Sequence, residues 1–161
     1  MKPTPPDWPR FAGCAVYRDA PAAIDWLVRA FGFDVRLRVE GEGGRIEHCE
    51  LEYGDGVVML AQEDTASTRP WKRTMRSPAS LGGATTQSLM FYVDDARAHC
   101  AQARAAGATI FEEPATHDYG DEFWSDLSYG AIDLEGHVWW ITERLRNPSA
   151  PPPKFSAAPS H

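Results

Sequence analysis

Two segments of the chain alternate between apolar and charged residues, the pattern of a β-strand with one buried face. They cover residues 33–40 and 48–53, and turn-forming glycines separate them from each other and from the apolar run 57–60. Upstream, an apolar stretch at 11–17 precedes apolar residues at helical spacing, which end at Gly32. The N-terminal part of the chain therefore predicts a β-α-β-β-β unit.

The same order of elements returns in the second half of the chain. At an offset of 75 positions, the residues around the first helix recur around the second: Tyr17, Asp19 and Gly32 correspond to Tyr92, Asp94 and Gly107. A repeat of this length is one supersecondary unit used twice. The sequence thus predicts an α+β fold of two modules with a cleft between them. The modules are predicted at 11–63 and 86–144, joined by a linker at 64–85 and followed by a disordered or extended tail at 145–161.

Charge and composition narrow the class of partner. The net charge is −7, which argues against nucleic acid and anionic membranes because both need clustered positive charge. No apolar run approaches the ~20 residues of a membrane span, and the first residues lack the apolar core of a signal peptide. The three cysteines are far apart and form no CxxC motif. We therefore expect a cytoplasmic protein with a small-molecule ligand.

Several motifs resemble a known family. They are Ser77 to Gly83, Tyr92 to Asp95, Ala105 to Thr109, Tyr129 with Gly130, and Asp133 to Trp139. Together with the two modules, they are similar to the glyoxalase / bleomycin-resistance / extradiol-dioxygenase superfamily, also called vicinal oxygen chelate proteins. The resemblance runs from about Phe11 to Glu143, and the strand Ile46 to Leu51 points to the PhnB-like branch.

This resemblance implies a curved mixed sheet with a cleft, built by modules that pair within one chain or are swapped between the two chains of a homodimer. Isomerases, dioxygenases, thiol transferases and drug-binding proteins share the fold, so function must be argued from the site.

Metal-using members of the superfamily place one ligand in the first strand and one in the last strand of each module. The corresponding positions here are Ala12, Leu60, Ser88 and Trp140. None of these is a histidine or a carboxylate, the usual ligands of divalent metals in such sites. A one-residue shift gives Gly13, Met59, Gln87 and Trp139, of which Gln87 alone could coordinate. We therefore expect no metal and no other cofactor.

Strand alternation predicts a cleft with aromatic walls and a few charged groups, a composition common in small-molecule sites. The strand residues expected to line it are Arg36, Arg38, His48, Glu50, Leu60, Ser88, Met90, Tyr92 and Trp140. The irregular segment 113–126 adds Tyr119 and Trp124 as candidate lids, and the linker adds Trp71. The alternative is that Trp140 and its neighbours fill the groove as core.

Two functions fit this cleft. The first is a metal-free binding protein for a planar or cationic small molecule, because indole faces suit such ligands. The second is a lyase, isomerase or dioxygenase-type enzyme with His48 and Glu50 as acid and base, or with a non-standard metal site. A dimeric scaffold with an occluded cleft is a third, non-catalytic option.

The remaining histidines carry weaker predictions. His137 is expected to fix a turn, His117 to reach the cleft mouth if its segment folds over it, and His99 to occupy an exposed helix position without a functional role.

Overall fold

A computed structural model describes residues 2–150 and confirms the two-module α+β fold. Sheet one has the strand order β1-β4-β3-β2, and sheet two has the order β5-β8-β7-β6. In each sheet the first and last strands of the module are parallel, and the other neighbours are antiparallel. The strands are β1 (Gly13–Tyr17), β2 (Asp34–Glu40), β3 (Ile46–Tyr53), β4 (Gly56–Gln62), β5 (Ser88–Tyr92), β6 (Thr109–Asp118), β7 (Ser125–Ile132) and β8 (Val138–Arg146). The helices are α1 (Ala20–Phe31), α2 (Pro70–Thr74) and α3 (Ala96–Ala105).

Side-chain caps start both long helices. The Asp19 carboxylate accepts a hydrogen bond from the backbone N–H of Ala22, and Asp95 does the same for Arg97 and Ala98. The caps are 76 residues apart, since Asp95, not Asp94, holds the position equivalent to Asp19. Gly32 ends α1 with a φ of 75°, a left-handed conformation that favours glycine.

The helix-bearing faces of the two sheets turn towards each other and share one core. A Cβ atom at Gly13 would lie 3.4 Å from the Leu89 side chain, and the rings of Tyr53 and Phe91 are 4.9 Å apart. The helices also meet, because the Trp26 indole N–H donates to the carbonyl of Ala106 at 2.8 Å. The opposite face of each sheet therefore points outwards. We call these two surfaces the open faces of sheet one and sheet two.

The loop between β7 and β8 joins the modules through buried polar groups. The Glu135 carboxylate accepts hydrogen bonds from the backbone N–H groups of Arg18 and Asp19 at 2.7 Å each, and from the Ser77 hydroxyl. His137 is also buried there, and its Nε2 donates to the carbonyl of Val16 at 2.9 Å. This histidine therefore bridges the two modules rather than only fixing its own turn.

Three segments differ from the prediction. The segment 113–126 is mostly strand, because β6 continues to Asp118 and β7 begins at Ser125. The linker contains α2 and a 3-10 helix at Pro78–Leu81. Strand β8 runs to Arg146, into the range predicted as tail, and the part of that tail beyond residue 150 lies outside the described residues. Among residues 2–150, no helix has the length and apolarity needed to cross a membrane.

Candidate ligand-binding site

The open face of sheet two carries a pocket of about 840 Å³. Cross-strand pairing builds its floor, since Trp140 lies beside Met90 and Gly130, and Thr142 lies beside Tyr92 and Ser128. The lining residues are Met90, Tyr92, Glu112, His117, Tyr119, Trp124, Asp126, Ser128, Trp140, Thr142, Arg144, Asn147 and Pro148. All of them belong to the second module or directly follow it.

Aromatic rings form much of the pocket wall. Phe111 is not a lining residue, but it contacts one: it lies over Gly130, where a Cβ atom would come within 2.3 Å of the ring, and its ring meets Trp140 edge-on at 5.3 Å. Tyr119 and Trp124 pack against each other at 5.7 Å. The alternative that Trp140 fills the core does not hold, because its neighbour Trp139 is the buried core residue at 2% exposure.

Arg144 lies between two rings at one end of the pocket. Its Nε donates to the Asp126 carboxylate at 2.5 Å, and its Nη2 donates to the Tyr92 hydroxyl at 2.6 Å. The guanidinium carbon is 5.2 Å from the Tyr92 ring centre and 5.5 Å from that of Trp124. The hydrogen bond to Asp126 raises the pKa of Arg144, so the group stays charged. Asp126 is 7% exposed, and the arginine offsets the cost of burying its charge.

Sequence reasoning missed Arg144 and Asp126. Alternation along β8 places Arg144 on the same side as Trp140 and Thr142, but only if the strand continues beyond Glu143. Asp126 stands directly across from Arg144 in the ladder, and this pairing needs β7 to begin at Ser125. Both residues could have been found only if the sequence had predicted the full lengths of β7 and β8.

His117 and Glu112 occupy the β6 side of the pocket. Their nearest atoms, Nε2 and Oε1, are 3.7 Å apart, and both side chains are half-exposed. The structure thus places His117 in the pocket lining, as its segment folds back as part of β6. Glu112 supplies a carboxylate that has no arginine partner among the described ion pairs.

The open face of sheet one holds a second group of charged residues. His48 Nε2 is 2.9 Å from Glu50 Oε1, and Arg36 Nε is 3.2 Å from Glu50 Oε2. Glu50 is 7% exposed, so it is nearly buried beneath its two partners. Arg36 also lies over the ring of Trp8, with its guanidinium carbon 5.2 Å from the ring centre.

Arg38 does not belong to this face, and its predicted position in the cleft was wrong. An irregularity between Val35 and Leu37 reverses the alternation of β2, so Leu37 pairs with Glu50 while Arg38 pairs with the buried Cys49. Arg38 lies 3.6 Å from Asp25 of α1, on the helix side. Leu37 is 42% exposed, although the pattern predicted it to be core.

Leu60 was also predicted in the cleft, and this was wrong, because Leu60 is fully buried in the core. The two hairpins differ in length. Tyr53 pairs with Gly56 across a tight turn, whereas Ile132 pairs with Val138 across residues 133–137. Counting from the hairpin glycines Gly56 and Gly136 therefore does not give equivalent positions in the two last strands.

The predicted residues do not form one cleft within the chain. His48, Glu50 and Arg36 lie on the open face of sheet one, whereas the pocket is on the open face of sheet two. Ser88 lines a smaller cavity of about 340 Å³ at the seam between β1 and β5. Trp71 lies in α2 with 56% exposure and does not line the pocket.

The positions used for metal in the superfamily do not fit a metal here. The helix caps show that equivalent residues of the two modules are 76 positions apart here, so Cys14 corresponds to Met90. Cys14 pairs with Met59, and Met90 pairs with Trp140, so Met59 of sheet one corresponds to Trp140 of sheet two. Together with Ala12 and Ser88, these residues provide neither an imidazole nor a carboxylate. Within residues 2–150, no group of three or more His, Cys, Asp or Glu side chains could hold a metal ion.

Comparison with known proteins agrees with the fold. Residues 11–141 match the Glyoxalase/Bleomycin resistance protein/Dioxygenase superfamily, and the chain belongs to this superfamily. An uncharacterised protein of Mycobacterium bovis is 33% identical over 132 residues, which cover 81% of this chain and 80% of that protein.

Two solved structures have a similar fold. TioX from Micromonospora sp. ML1 is 32% identical with a TM-score of 0.62, covering 83% of this chain and 97% of its own. TnmS3 from Streptomyces sp. CB03234, an antibiotic binding protein, is 21% identical with a TM-score of 0.58, covering 83% of this chain and 93% of its own.

Proposed function

We propose that this protein binds a planar aromatic small molecule on the open face of sheet two. The observation that carries the proposal is the pair of indoles, Trp140 and Trp124, in one pocket whose Arg144 is already neutralised by Asp126. A paired arginine adds hydrogen-bond donors and a flat surface without demanding an anionic ligand. Glu112, at the opposite side, suits a cationic substituent on the ring. No catalytic step is needed for this function.

The site is completed by a second copy of the chain. The open face of sheet two is exposed along β5, with Met90 at 55% and Tyr92 at 45% exposure, and the open face of sheet one exposes Leu37 and Val39. Because these faces point away from each other, neither module of one chain covers the open face of the other. In a symmetric homodimer whose modules pair between the copies, the pocket on sheet two of each copy would face sheet one of the other copy. Such a dimer has two identical sites.

The type of ligand does not follow from the relatives. TnmS3 is an antibiotic binding protein, but its 21% identity reflects the shared fold. The proposal therefore rests on the pocket itself. Membership of the PhnB-like branch and a cytoplasmic location remain predictions from the sequence.

Calorimetric titration with planar dyes tests the proposal. Aminoacridine, phenazine and anthraquinone sulfonate offer a cationic, a neutral and an anionic ring of similar shape. We expect saturable binding of at least one dye, with aminoacridine the tightest because of Glu112. Trp140→Ala should weaken binding about 10-fold, since one aromatic contact contributes ~0.5–1.5 kcal/mol beyond its buried area. Trp71→Ala serves as the matched control. If none of the three dyes gives a heat of binding, the proposal is overturned.

The homodimer is tested separately by light scattering after gel filtration. The expected mass is twice the 17.9 kDa of one chain. Replacing Leu37 with Asp places a charge on the exposed face of sheet one and should shift the mass to that of a monomer. A wild-type protein that elutes as a monomer at all concentrations would exclude the shared site.

A second candidate function is an acid–base enzyme, and it is favoured by the 2.9 Å contact between His48 Nε2 and Glu50 Oε1. A carboxylate that accepts the Nε2 proton orients the ring and leaves Nδ1 as a base. The reaction would be a lyase or isomerase type. Mass spectrometry of dyes and small carbonyl compounds incubated with wild type and His48→Gln tests it, because conversion must occur with the wild type and stop in the variant.

A further inference from the structure

Each open face presents an arginine that lies against an indole and is held by a nearly buried carboxylate. On sheet two, Arg144 donates from Nε to Asp126 and lies over Trp124. On sheet one, Arg36 Nε forms the ion pair with Glu50 and the guanidinium lies over Trp8. Asp126 and Glu50 are each 7% exposed. The two faces thus offer the same combination of groups, although they come from different strands.

Trp8 is held in place by the N-terminal segment, residues 2–12. Its backbone N–H donates to the carbonyl of Pro5 at 3.3 Å, and Arg36 Nη1 donates to the carbonyl of Asp7 at 2.5 Å. Asp7 has a φ of 60°, an uncommon conformation for a residue other than glycine. The segment is therefore fixed to sheet one by the same arginine that carries the ion pair to Glu50.

This segment does not serve as ordinary core. Trp8 is half-buried and lies outside the hydrophobic core cluster, whereas Trp26 is a core residue at 6% exposure. A cavity of about 850 Å³ is lined by this segment together with sheet one, and its lining includes Trp8, Arg36, Glu52 and Val57. An indole kept above such a space has a free face on which a flat ring can stack.

We propose that Trp8 is a ligand-stacking residue of the shared site. The inference rests on the proposed function: when sheet one of one copy faces the pocket of the other, Trp8 belongs to the surface that faces Trp124 and Trp140. The planar ligand is then held between indoles from both chains. The class of ligand that fits is a planar aromatic system with both faces free, because a ring substituted above its plane could stack on one side only.

Calorimetry on four full-length proteins tests this inference: the wild type, Trp8→Ala, Trp8→Phe and Trp71→Ala, each titrated with aminoacridine. Trp8→Ala should weaken binding about 3- to 10-fold, the range expected for one aromatic contact. Trp8→Phe should recover most of the affinity, because a phenyl ring can also stack. Trp71→Ala removes a more exposed indole outside the pocket and should bind like the wild type. The thermal unfolding midpoints of the four proteins should be the same, because Trp8 lies outside the core.

The outcomes separate the two proposals. If the wild type binds and Trp8→Ala binds equally well, the role of Trp8 is wrong while the pocket on sheet two stands. If Trp8→Ala and Trp71→Ala weaken binding to the same extent, the effect is not specific to the shared site, and the inference fails. If the wild type binds no planar dye, the proposed function fails and the inference fails with it.

Discussion

The hydroxyl of Tyr17 donates a 2.7 Å hydrogen bond to the carboxylate of Asp133, 116 residues further along the chain. Both groups are buried, and Asp133 also accepts hydrogen bonds from the Trp139 indole and from three backbone N–H groups of its own loop. Burial, followed by the charge of Asp133, raises the pKa of Tyr17 well above its ordinary value. Tyr17 is therefore a permanent donor that ties β1 of one module to the β7–β8 loop of the other.

Removing this donor should destabilise the protein. Tyr17→Phe is expected to lower the free energy of unfolding by about 1–2 kcal/mol, because one hydrogen bond to a charged acceptor is lost while Asp133 keeps its other donors. Urea unfolding measures the change. Tyr53→Phe is the matched control, since no hydrogen bond of that hydroxyl is found among the described residues. Equal losses in both variants would contradict the assigned role of Asp133.

The sequence predicted the fold because the repeat and the strand alternation are carried by many residues at once. It was harder to predict on which side of its sheet a single side chain lies. One irregularity in β2 moves Arg38 to the helix side and exposes Leu37, and nothing in the local pattern marks it. A difference in hairpin length moves Leu60 into the core. Such shifts reverse every later residue of a strand, since side chains alternate with a period of two.

Residues that act through distant partners could not be predicted either. His99 was expected on an exposed helix surface, and this was wrong, because both its ring nitrogens make hydrogen bonds at the junction of the modules. Its partners are Tyr129 in β7 and the carbonyl of Phe31 at the end of α1. These contacts depend on how the two modules pack, which no local pattern in the sequence describes.

The close contact of Phe111 with Gly130 gives a second prediction. A Cβ atom at position 130 would lie 2.3 Å from the Phe111 ring, so Gly130→Ala must displace that ring from the sheet. We expect a loss of about 1–3 kcal/mol in the free energy of unfolding, the usual cost of overpacking. Weaker dye binding should follow, because Phe111 supports Trp140 edge-on.

A double-mutant cycle separates this clash from a general effect of the backbone. Phe111→Ala removes the ring, so adding Gly130→Ala to it should cost little further stability. Chemical unfolding of the four proteins gives the coupling energy. Additive losses would show that the ring does not account for the effect at position 130.

Burial of His99 predicts a dependence of stability on pH. Desolvation lowers the pKa of His99, partly opposed by its hydrogen bond to Phe31, whereas the unfolded chain has the ordinary value near ~6.5. The folded protein therefore binds fewer protons than the unfolded chain in the interval below pH ~6.5. The contribution of His99 to stability is complete above that pH and is lost as the pH falls towards the lowered pKa.

The measurement is the unfolding free energy between pH ~7.5 and ~5 for the wild type and His99→Gln. The variant should show a smaller loss of stability over this range, because glutamine does not titrate. A His99→Gln curve parallel to that of the wild type would exclude the histidine as the cause.

The ion pair between Arg144 and Asp126 gives the last prediction. Arg144→Leu keeps an apolar stem in the pocket but leaves the carboxylate of Asp126 without its charge partner. Since the arginine side chain is 28% exposed, solvent screens part of the effect, and we expect a loss of about 1–3 kcal/mol in unfolding free energy. Adding Asp126→Asn should restore part of that stability, because the uncompensated charge is removed. Dye affinity should stay low in the double variant, since the guanidinium that lies against Trp124 and Tyr92 is still missing; full recovery of binding would show that the ion pair stabilises the pocket without contacting the ligand.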